Sequence, residues 1–400
     1  MRSLRKLAFG LAVAALLFVG IELVARQVTG PPTPPAISRV PQIEDRWLKD
    51  DGAYVLTTYQ DGFAIGPIAK EPGRPRLIVL GGSSMHGGDG RLAAGMEAAS
   101  VLGHSMDIDV VNLATPGMAT EHLVSILPEA LALKPDVVLI YTGHNDIGNA
   151  LFAGSFGDAK GRTIARGRHL LSHLRLFELI EANVTQVRSE AVVETDDTPD
   201  GPLDAPRRDA ILAGYEQRLR WIVRGLRDAG VPVLLSTVAS DATAPPQRWA
   251  CPEVHKELGF KAHPRMVSGQ GLPKELLPDH PCSDVQWVRG HQLIGEGQTE
   301  AAVEAFDRAR DTDPWAIRAG RPTNRVIREV AEDEGALLLD FNARLRSEGP
   351  GYEPGQYFAD PLHLNDLGHR ALAVMASKEL TGLLGLPDPE IEFPTGGSPP

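Results

Sequence analysis

Three apolar runs, each stopped by small and polar residues, constrain the fold of this chain most. The first, Leu77 to Leu80, ends in Gly81-Gly82-Ser83-Ser84. The second, Ile108 to Leu113, ends in Ala114-Thr115-Pro116-Gly117. The third, Val137 to Tyr141, ends in Thr142-Gly143-His144-Asn145-Asp146. Helical patterns separate them, one over Arg91 to Leu102 and one from a capping Thr120 to about Leu133. Strand and helix alternating at this spacing predict a parallel sheet with crossover helices. A long helix follows over 206–229, with Ile211, Leu212, Tyr215, Leu219, Ile222, Val223 and Leu226 on one face. Further strands are expected at Val231 to Val238 and at Ala336 to Phe341, after a helix from Pro322 to Glu334. Residues 43–74 carry mixed signals and receive no placement.

In a parallel sheet the C-terminal ends of the strands share one edge, and ligands bind there. Ser83, Gly117 and Asn145 all reach that edge. Each alone has a plainer reading: a serine after a strand caps a helix, a glycine turns the chain, an asparagine caps. Near the C-terminus, Asp360 and His363 stand in one short loop before a helix over Asp366 to Leu384. A carboxylate on one imidazole nitrogen leaves the other nitrogen to take a proton from a serine. An isolated Asp-x-x-His is also a common surface cap. The metal alternative lacks a second His or carboxylate at ligand spacing.

The N-terminus is basic at Arg2, Arg5 and Lys6, and residues 7–25 are apolar except for Glu22. That length is close to the roughly 20 residues that span a bilayer, and no small-residue cleavage site follows. Residues 1–30 are therefore expected to be an uncleaved signal anchor, with a cleaved signal as the alternative. The flanking cations place the N-terminus in the cytoplasm and the rest of the chain outside it. Residues 31–42 read as a stiff Pro-rich linker, and residues 385–400 as a disordered tail. The net charge of −12 offers no basic stripe for a nucleic-acid partner.

Residues 240–320 interrupt the pattern as an insertion. They hold the two cysteines of the chain, Cys251 and Cys282, too few for a disulfide-dense scaffold or a four-cysteine zinc site. In an oxidising compartment the pair is expected to form a disulfide; two buried thiols are the alternative. Residues 284–314 read as two helices around Gly295-Glu296-Gly297. Gly290, Ala302, Phe306, Ala309 and Pro314 have the spacing of one tetratricopeptide-like repeat. Residues 240–320 as a whole are expected to cover the pocket. A single repeat cannot bury its own face, so the hairpin is expected to pack on the main domain. Binding a protein partner is its second reading.

Taken together these residues resemble the SGNH or GDSL hydrolases, whose four sequence blocks occur here in order. Gly81-Gly82-Ser83 is similar to the Gly-Asp-Ser of the first block, with Gly82 where the family often has Asp. The second block resembles Asn112 to Gly117, and Gly143-His144-Asn145-Asp146 matches Gly-x-Asn-Asp in full. Asp360 and His363 match the last block, with Gly368-His369 after them. The resemblance covers about residues 74–150, 206–240 and 322–384. It implies a flavodoxin-like three-layer α/β/α sandwich, with a parallel sheet of about five strands and an α-helical insertion, as a hydrolase domain over residues 43–384. It implies Ser83 as nucleophile, rather than the adjacent Ser84, with His363 as base and Asp360 as its orienting acid. The oxyanion donors would be the backbone N–H groups of Ser83 and Gly117 and the Asn145 amide. The nucleophile-elbow pattern Gly-x-Ser-x-Gly is absent, because Met85 stands at its second glycine. The resulting expectation is an extracytoplasmic serine esterase without cofactor or metal, acting on O-acyl esters of an envelope glycan or lipid. An O-acyltransferase with the same triad and a non-catalytic envelope scaffold remain the alternatives.

Overall fold

The structure is a computed structural model. It describes residues 18–28, 47–50, 53–56, 68–86, 97–152, 202–246, 251, 281–348, 355–389 and 391. The chain divides into two compact units, one of Met1–Ile43, Gln60–Pro67 and Ser155–Asp197, the other of Glu44–Tyr59, Ile68–Gly154 and Thr198–Pro400. In the first unit residues 18–28 are helical, and Arg26 Nε lies 2.6 Å from Glu22 Oε1 one turn away. Among the described residues no helix is long and apolar enough to cross a membrane. Most of the expected anchor, the linker at 31–42 and most of the tail lie outside the described residues.

The second unit is built on a seven-stranded sheet. Its strands are β1 (Trp47–Asp50), β2 (Ala53–Leu56), β3 (Arg76–Gly81), β4 (Asp109–Asn112), β5 (Val137–Tyr141), β6 (Val233–Ser236) and β7 (Leu337–Leu339). The order is β1-β2-β4-β3-β5-β6-β7. β3 to β7 are the five parallel strands expected from the sequence. The β1–β2 hairpin is antiparallel within itself and adds β2 parallel to β4. Its strands are four residues each, too short to show a period in sequence.

The interior of the sheet explains the unbroken apolar runs. Leu77 to Leu80 and Val137 to Ile140 have no accessible surface, because helices cover both faces and both sides of each strand need apolar residues. The helices of the sandwich are α1 (Ser83–His86), α2 (Ala98–Met106), α3 (Thr120–Ala132), α4 (His144–Phe152) and α5 (Ala205–Asp228). After the insertion come α8 (Arg321–Glu334), α9 (Phe341–Glu348) and α10 (Asp366–Leu384). α10 packs on α2, while α5 packs on α3 and α8. The Asp204 side chain caps α5 by accepting from the Arg207 amide at 2.8 Å. The long helix buries Tyr215, Leu219, Ile222, Val223 and Leu226. Ile211 and Leu212 lie instead in a small separate cluster with Ile147, Leu203 and Ala316.

Two local expectations are corrected. The helix expected over Arg91 to Leu102 runs over Ala98–Met106, and residues 87–96 lie outside the described residues. Thr120 is not the cap of α3: Ala119 precedes the helix, and its N–H is taken by Nδ1 of His122 at 3.0 Å. The Thr120 hydroxyl is committed elsewhere, to Asp146.

The insertion forms α6 (Ser283–Gly295) and α7 (Thr299–Thr312). A Cβ on Gly290 would meet the Phe306 ring at 2.4 Å, so the glycine lets the two helices close. Their shared core includes Val285, Trp287, Val288, Ala302, Phe306 and Ala309. Cys251 and Cys282 are joined as the expected disulfide across 31 positions.

Candidate active site

Relative to β3, the chain places β4 on one side and β5, β6 and β7 on the other. The direction of winding therefore reverses between β3 and β5, and the crevice at such a switch point is where α/β sheets bind ligands. Gly81 and Tyr141 are paired at that point, so the residues after them face each other. These are Ser83 on one strand end and Asn145 on the next.

Ser83 opens α1 directly after the strand. The amides of Met85 and His86 both donate to the Gly82 carbonyl, at 3.0 and 3.1 Å, which fixes the turn. Nε2 of His363 lies 2.7 Å from the Ser83 Oγ, and Nδ1 lies 2.7 Å from Oδ2 of Asp360. The other carboxylate oxygen, Oδ1, accepts the backbone N–H groups of Leu362 at 3.0 Å and His363 at 2.9 Å. The acid is thereby oriented by the loop that carries the base. Ser84 is buried, and its hydroxyl donates to the Leu362 carbonyl at 3.0 Å. Of the two adjacent serines, Ser83 alone meets the imidazole.

The loop after β4 sits beside this row. Gly117 has φ +77°, a left-handed conformation that suits glycine. Asn145 Nδ2 donates to the Met118 carbonyl at 2.9 Å, and Asn149 Nδ2 to the Gly117 carbonyl at 3.0 Å. Asn112 ties the end of β4 to α1 by donating to the Met85 carbonyl at 3.2 Å. All five residues singled out from the sequence, Ser83, Gly117, Asn145, Asp360 and His363, thus lie at one edge of the sheet.

Several supporting residues received no individual role from the sequence. Asp146 accepts the Thr120 amide at 3.1 Å and the Thr120 hydroxyl, and Arg218 Nη2 reaches it at 3.1 Å. Asn324 on α8 makes two hydrogen bonds of 2.9 Å to the backbone of Val238. His144 is buried, with Nε2 3.1 Å from the Ala239 carbonyl and Nδ1 accepting from the Ala319 amide at 3.0 Å. Burial, and then the charge of a protonated His363, push its pKa down to about 3. His369 is also held down to about 3, chiefly by burial, and its Nδ1 accepts the Ala98 amide at 3.3 Å. Two neutral imidazoles therefore flank the site. The partners of these residues come from distant segments and meet them only in the folded chain.

Both ends of the insertion come to the site. The Asp241 amide donates to the Pro361 carbonyl at 3.0 Å, within the loop of Asp360 and His363. Arg318 donates to the carbonyls of Asp241 at 2.9 Å and Ala244 at 2.6 Å. Of the expected cover over the pocket, residues 247–250 and 252–280 lie outside the described residues. Among the described residues, the one group with three metal-capable side chains is Cys251, Cys282 and Asp284, whose sulfurs are bonded to each other.

The sequence profile of the GDSL-like Lipase/Acylhydrolase family matches residues 79–263. Over that stretch the chain is similar to this family. The match holds Ser83, Gly117 and Asn145, while Asp360 and His363 lie beyond it. Among curated proteins no relative matches. Solved structures do: a lipase/acylhydrolase from Enterococcus faecalis is 13% identical, with 79% of this chain and 99% of that chain covered and a TM-score of 0.38. Axe2, an acetylxylan esterase from Geobacillus stearothermophilus, is 14% identical, with 80% and 97% covered and a TM-score of 0.36. A GDSL-like lipase from Bacteroides thetaiotaomicron is 10% identical, with 77% and 88% covered and a TM-score of 0.36.

Proposed function

We propose that this chain is an acylhydrolase, a serine esterase in which Ser83, His363 and Asp360 act as a triad. The observation that carries the reading is the continuous line of short contacts, Ser83 Oγ to His363 Nε2 and His363 Nδ1 to Asp360 Oδ2, each 2.7 Å. Ser83 Oγ attacks the ester carbonyl carbon as its proton passes to Nε2. The imidazolium is stabilised by Asp360, which keeps Nδ1 protonated. The negative oxygen of the tetrahedral intermediate is met by the N–H groups of Ser83 and Gly117 and by Nδ2 of Asn145. Donors fixed on strand ends need no reorganisation as that charge develops. The C–O bond to the alcohol then breaks, and the alcohol leaves with the proton from Nε2. Water repeats the sequence on acyl-Ser83, giving the carboxylic acid and free serine.

Residues 43–384 form the hydrolase domain in this reading, and 240–320 its insertion. Residues 1–30 anchor it in the membrane with the hydrolase outside the cytoplasm. The basic start, the apolar run after it and the Cys251–Cys282 disulfide support that placement. The substrate class is an O-acyl ester, acetyl included, on an envelope glycan or lipid.

The test is hydrolysis of p-nitrophenyl acetate and longer p-nitrophenyl esters by the full chain beside Ser83→Ala. Activity lost in the variant supports the serine mechanism, and the chain-length profile defines the acyl group. Activity that survives Ser83→Ala rejects it. Turnover only after addition of a sugar acceptor makes the protein an O-acyltransferase instead.

A further inference from the structure

The first sequence block departs from its family pattern at one place. Gly82 stands where the family often has Asp, directly before Ser83. Its backbone is not what demands glycine, because Gly82 is absent from the residues of positive φ. Its surroundings do. A Cβ built on Gly82 would lie 2.4 Å from Asn145 Nδ2 and 3.1 Å from the Met118 carbonyl oxygen. These two atoms are the donor and the acceptor of one hydrogen bond, 2.9 Å long. That bond links the loop after β5 to the loop after β4.

We propose that Gly82 is a positioning residue: its missing side chain seats the Asn145–Met118 hydrogen bond and so sets the Asn145 donor beside Ser83. An amide nitrogen carries two hydrogens. Met118 takes one and fixes the plane of the carboxamide; the second is left for the oxyanion. Any side chain at residue 82 pushes the carboxamide off its acceptor and turns the second hydrogen away. The inference rests on the esterase reading for its catalytic consequence but not for its geometry. It also has an unusual corollary, that restoring the family's common residue with Gly82→Asp damages the enzyme.

The experiment uses the full chain as Gly82→Ala, Gly82→Asp, Asn145→Ala and the double variant Gly82→Ala/Asn145→Ala. Asn145→Ala is expected to lower kcat on p-nitrophenyl acetate by about 100- to 1000-fold, as for loss of one oxyanion donor. Gly82→Ala is expected to lower kcat by at least about tenfold, with KM changed less than about twofold, on the same scale. In the Asn145→Ala background the Gly82→Ala change should add nothing, because the group it displaces is gone. Wild-type kcat in Gly82→Ala, or an equal loss in both backgrounds, overturns the inference. A crystal structure of Gly82→Ala decides it without activity: Asn145 Nδ2 should lie beyond hydrogen-bond reach of Met118, and an unmoved carboxamide overturns it. If wild type hydrolyses no ester, the parent reading fails and this crystallographic result still stands. If Gly82→Ala does not fold, the double variant should, since removing Asn145 makes the room. Failure of both to fold overturns the proposal.

Discussion

The Asp146 carboxylate takes the amide hydrogen of Thr120 at 3.1 Å, joining the residue after Asn145 to the first residue of α3. Arg218 closes the triangle, with Nη2 3.1 Å from Asp146 and Nε 2.7 Å from the Thr120 hydroxyl. The two loops that carry the proposed oxyanion donors are thus held to each other and to α5. The Asp146 side chain is 1% exposed and that of Arg218 18%. Removing the acid leaves a half-buried cation and a buried amide without their partner, which costs about 3 kcal/mol. Asp146→Ala is expected to lose that much stability by urea unfolding and at least about tenfold in kcat, by analogy with a displaced oxyanion donor. Asp146→Asn, which keeps an acceptor for Thr120, should lose less of both. Full activity in Asp146→Ala would show that the loops hold their places without this link.

Two buried histidines make stability depend on pH. His144 and His369 each move from an ordinary value of 6.5 to about 3 in the folded protein, chiefly through burial. Below pH 6.5 the unfolded chain binds a proton at each that the folded chain does not. Stability therefore rises with pH across the window from about 3 to 6.5, and falls on acidification. Each group removes about 2 kcal/mol by pH 5, at about 1.4 kcal/mol per pH unit below its unfolded value. His369→Asn, which keeps an acceptor for the Ala98 amide, should remove about one such share of the loss between pH 7 and pH 5. Urea midpoints at the two pH values measure it. An unchanged difference in the variant would place the acid sensitivity elsewhere.

The legibility of this chain in sequence follows the physics of each part. β3, β4 and β5 are covered on both faces, so their runs are apolar throughout and end where glycine or a polar residue must appear. Ser83, Asn145 and His363 were visible because the chemistry limits which side chains can serve. β1 and β2 were invisible, being short and placed at the edge of the sheet. Thr120 was misread because a helix-start threonine and a threonine bonded to a distant Asp146 look alike in sequence. His144, Arg218 and Asn324 act through partners about 70 to 175 positions away, and no local pattern records such pairs.

The disulfide should stabilise the insertion without serving the chemistry. It closes a loop of 31 positions between Cys251 and the start of α6. Chain-entropy arguments assign such a closure roughly 3.5 kcal/mol. The Ser83–His363 contact does not run through α6. A Cys251→Ser/Cys282→Ser variant is expected to melt at lower temperature while keeping its kcat on p-nitrophenyl acetate. Equal melting of oxidised and reduced wild type would rule out the stabilising role. A large loss of kcat in the still-folded variant would mean that the insertion shapes the pocket even for a small ester.

A second buried ion pair separates stability from catalysis. Arg76 Nη2 lies 2.6 Å from Asp109 Oδ2, with both side chains 1% exposed. The guanidinium also donates to the carbonyls of Leu133 at 2.8 Å and Ala69 at 2.8 Å. Arg76 begins the strand that Gly81 ends. At about 3.3 Å per residue, the pair sits some 16 Å from the edge that carries Ser83. Arg76→Met leaves the Asp109 carboxylate buried and unpaired, a change that costs about 3–5 kcal/mol. Adding Asp109→Asn should recover part of that loss, since the stranded charge is then removed. In the fraction that stays folded, kcat is expected within about twofold of wild type, because additivity holds for sites this far apart. Asp146→Ala, whose pair lies at the active edge, should lose both stability and kcat. Urea unfolding with kcat measured on the same samples distinguishes the two pairs. A kcat that falls in Arg76→Met as far as in Asp146→Ala would mean that the sheet transmits strain along its whole length, and that neither pair has a purely structural role.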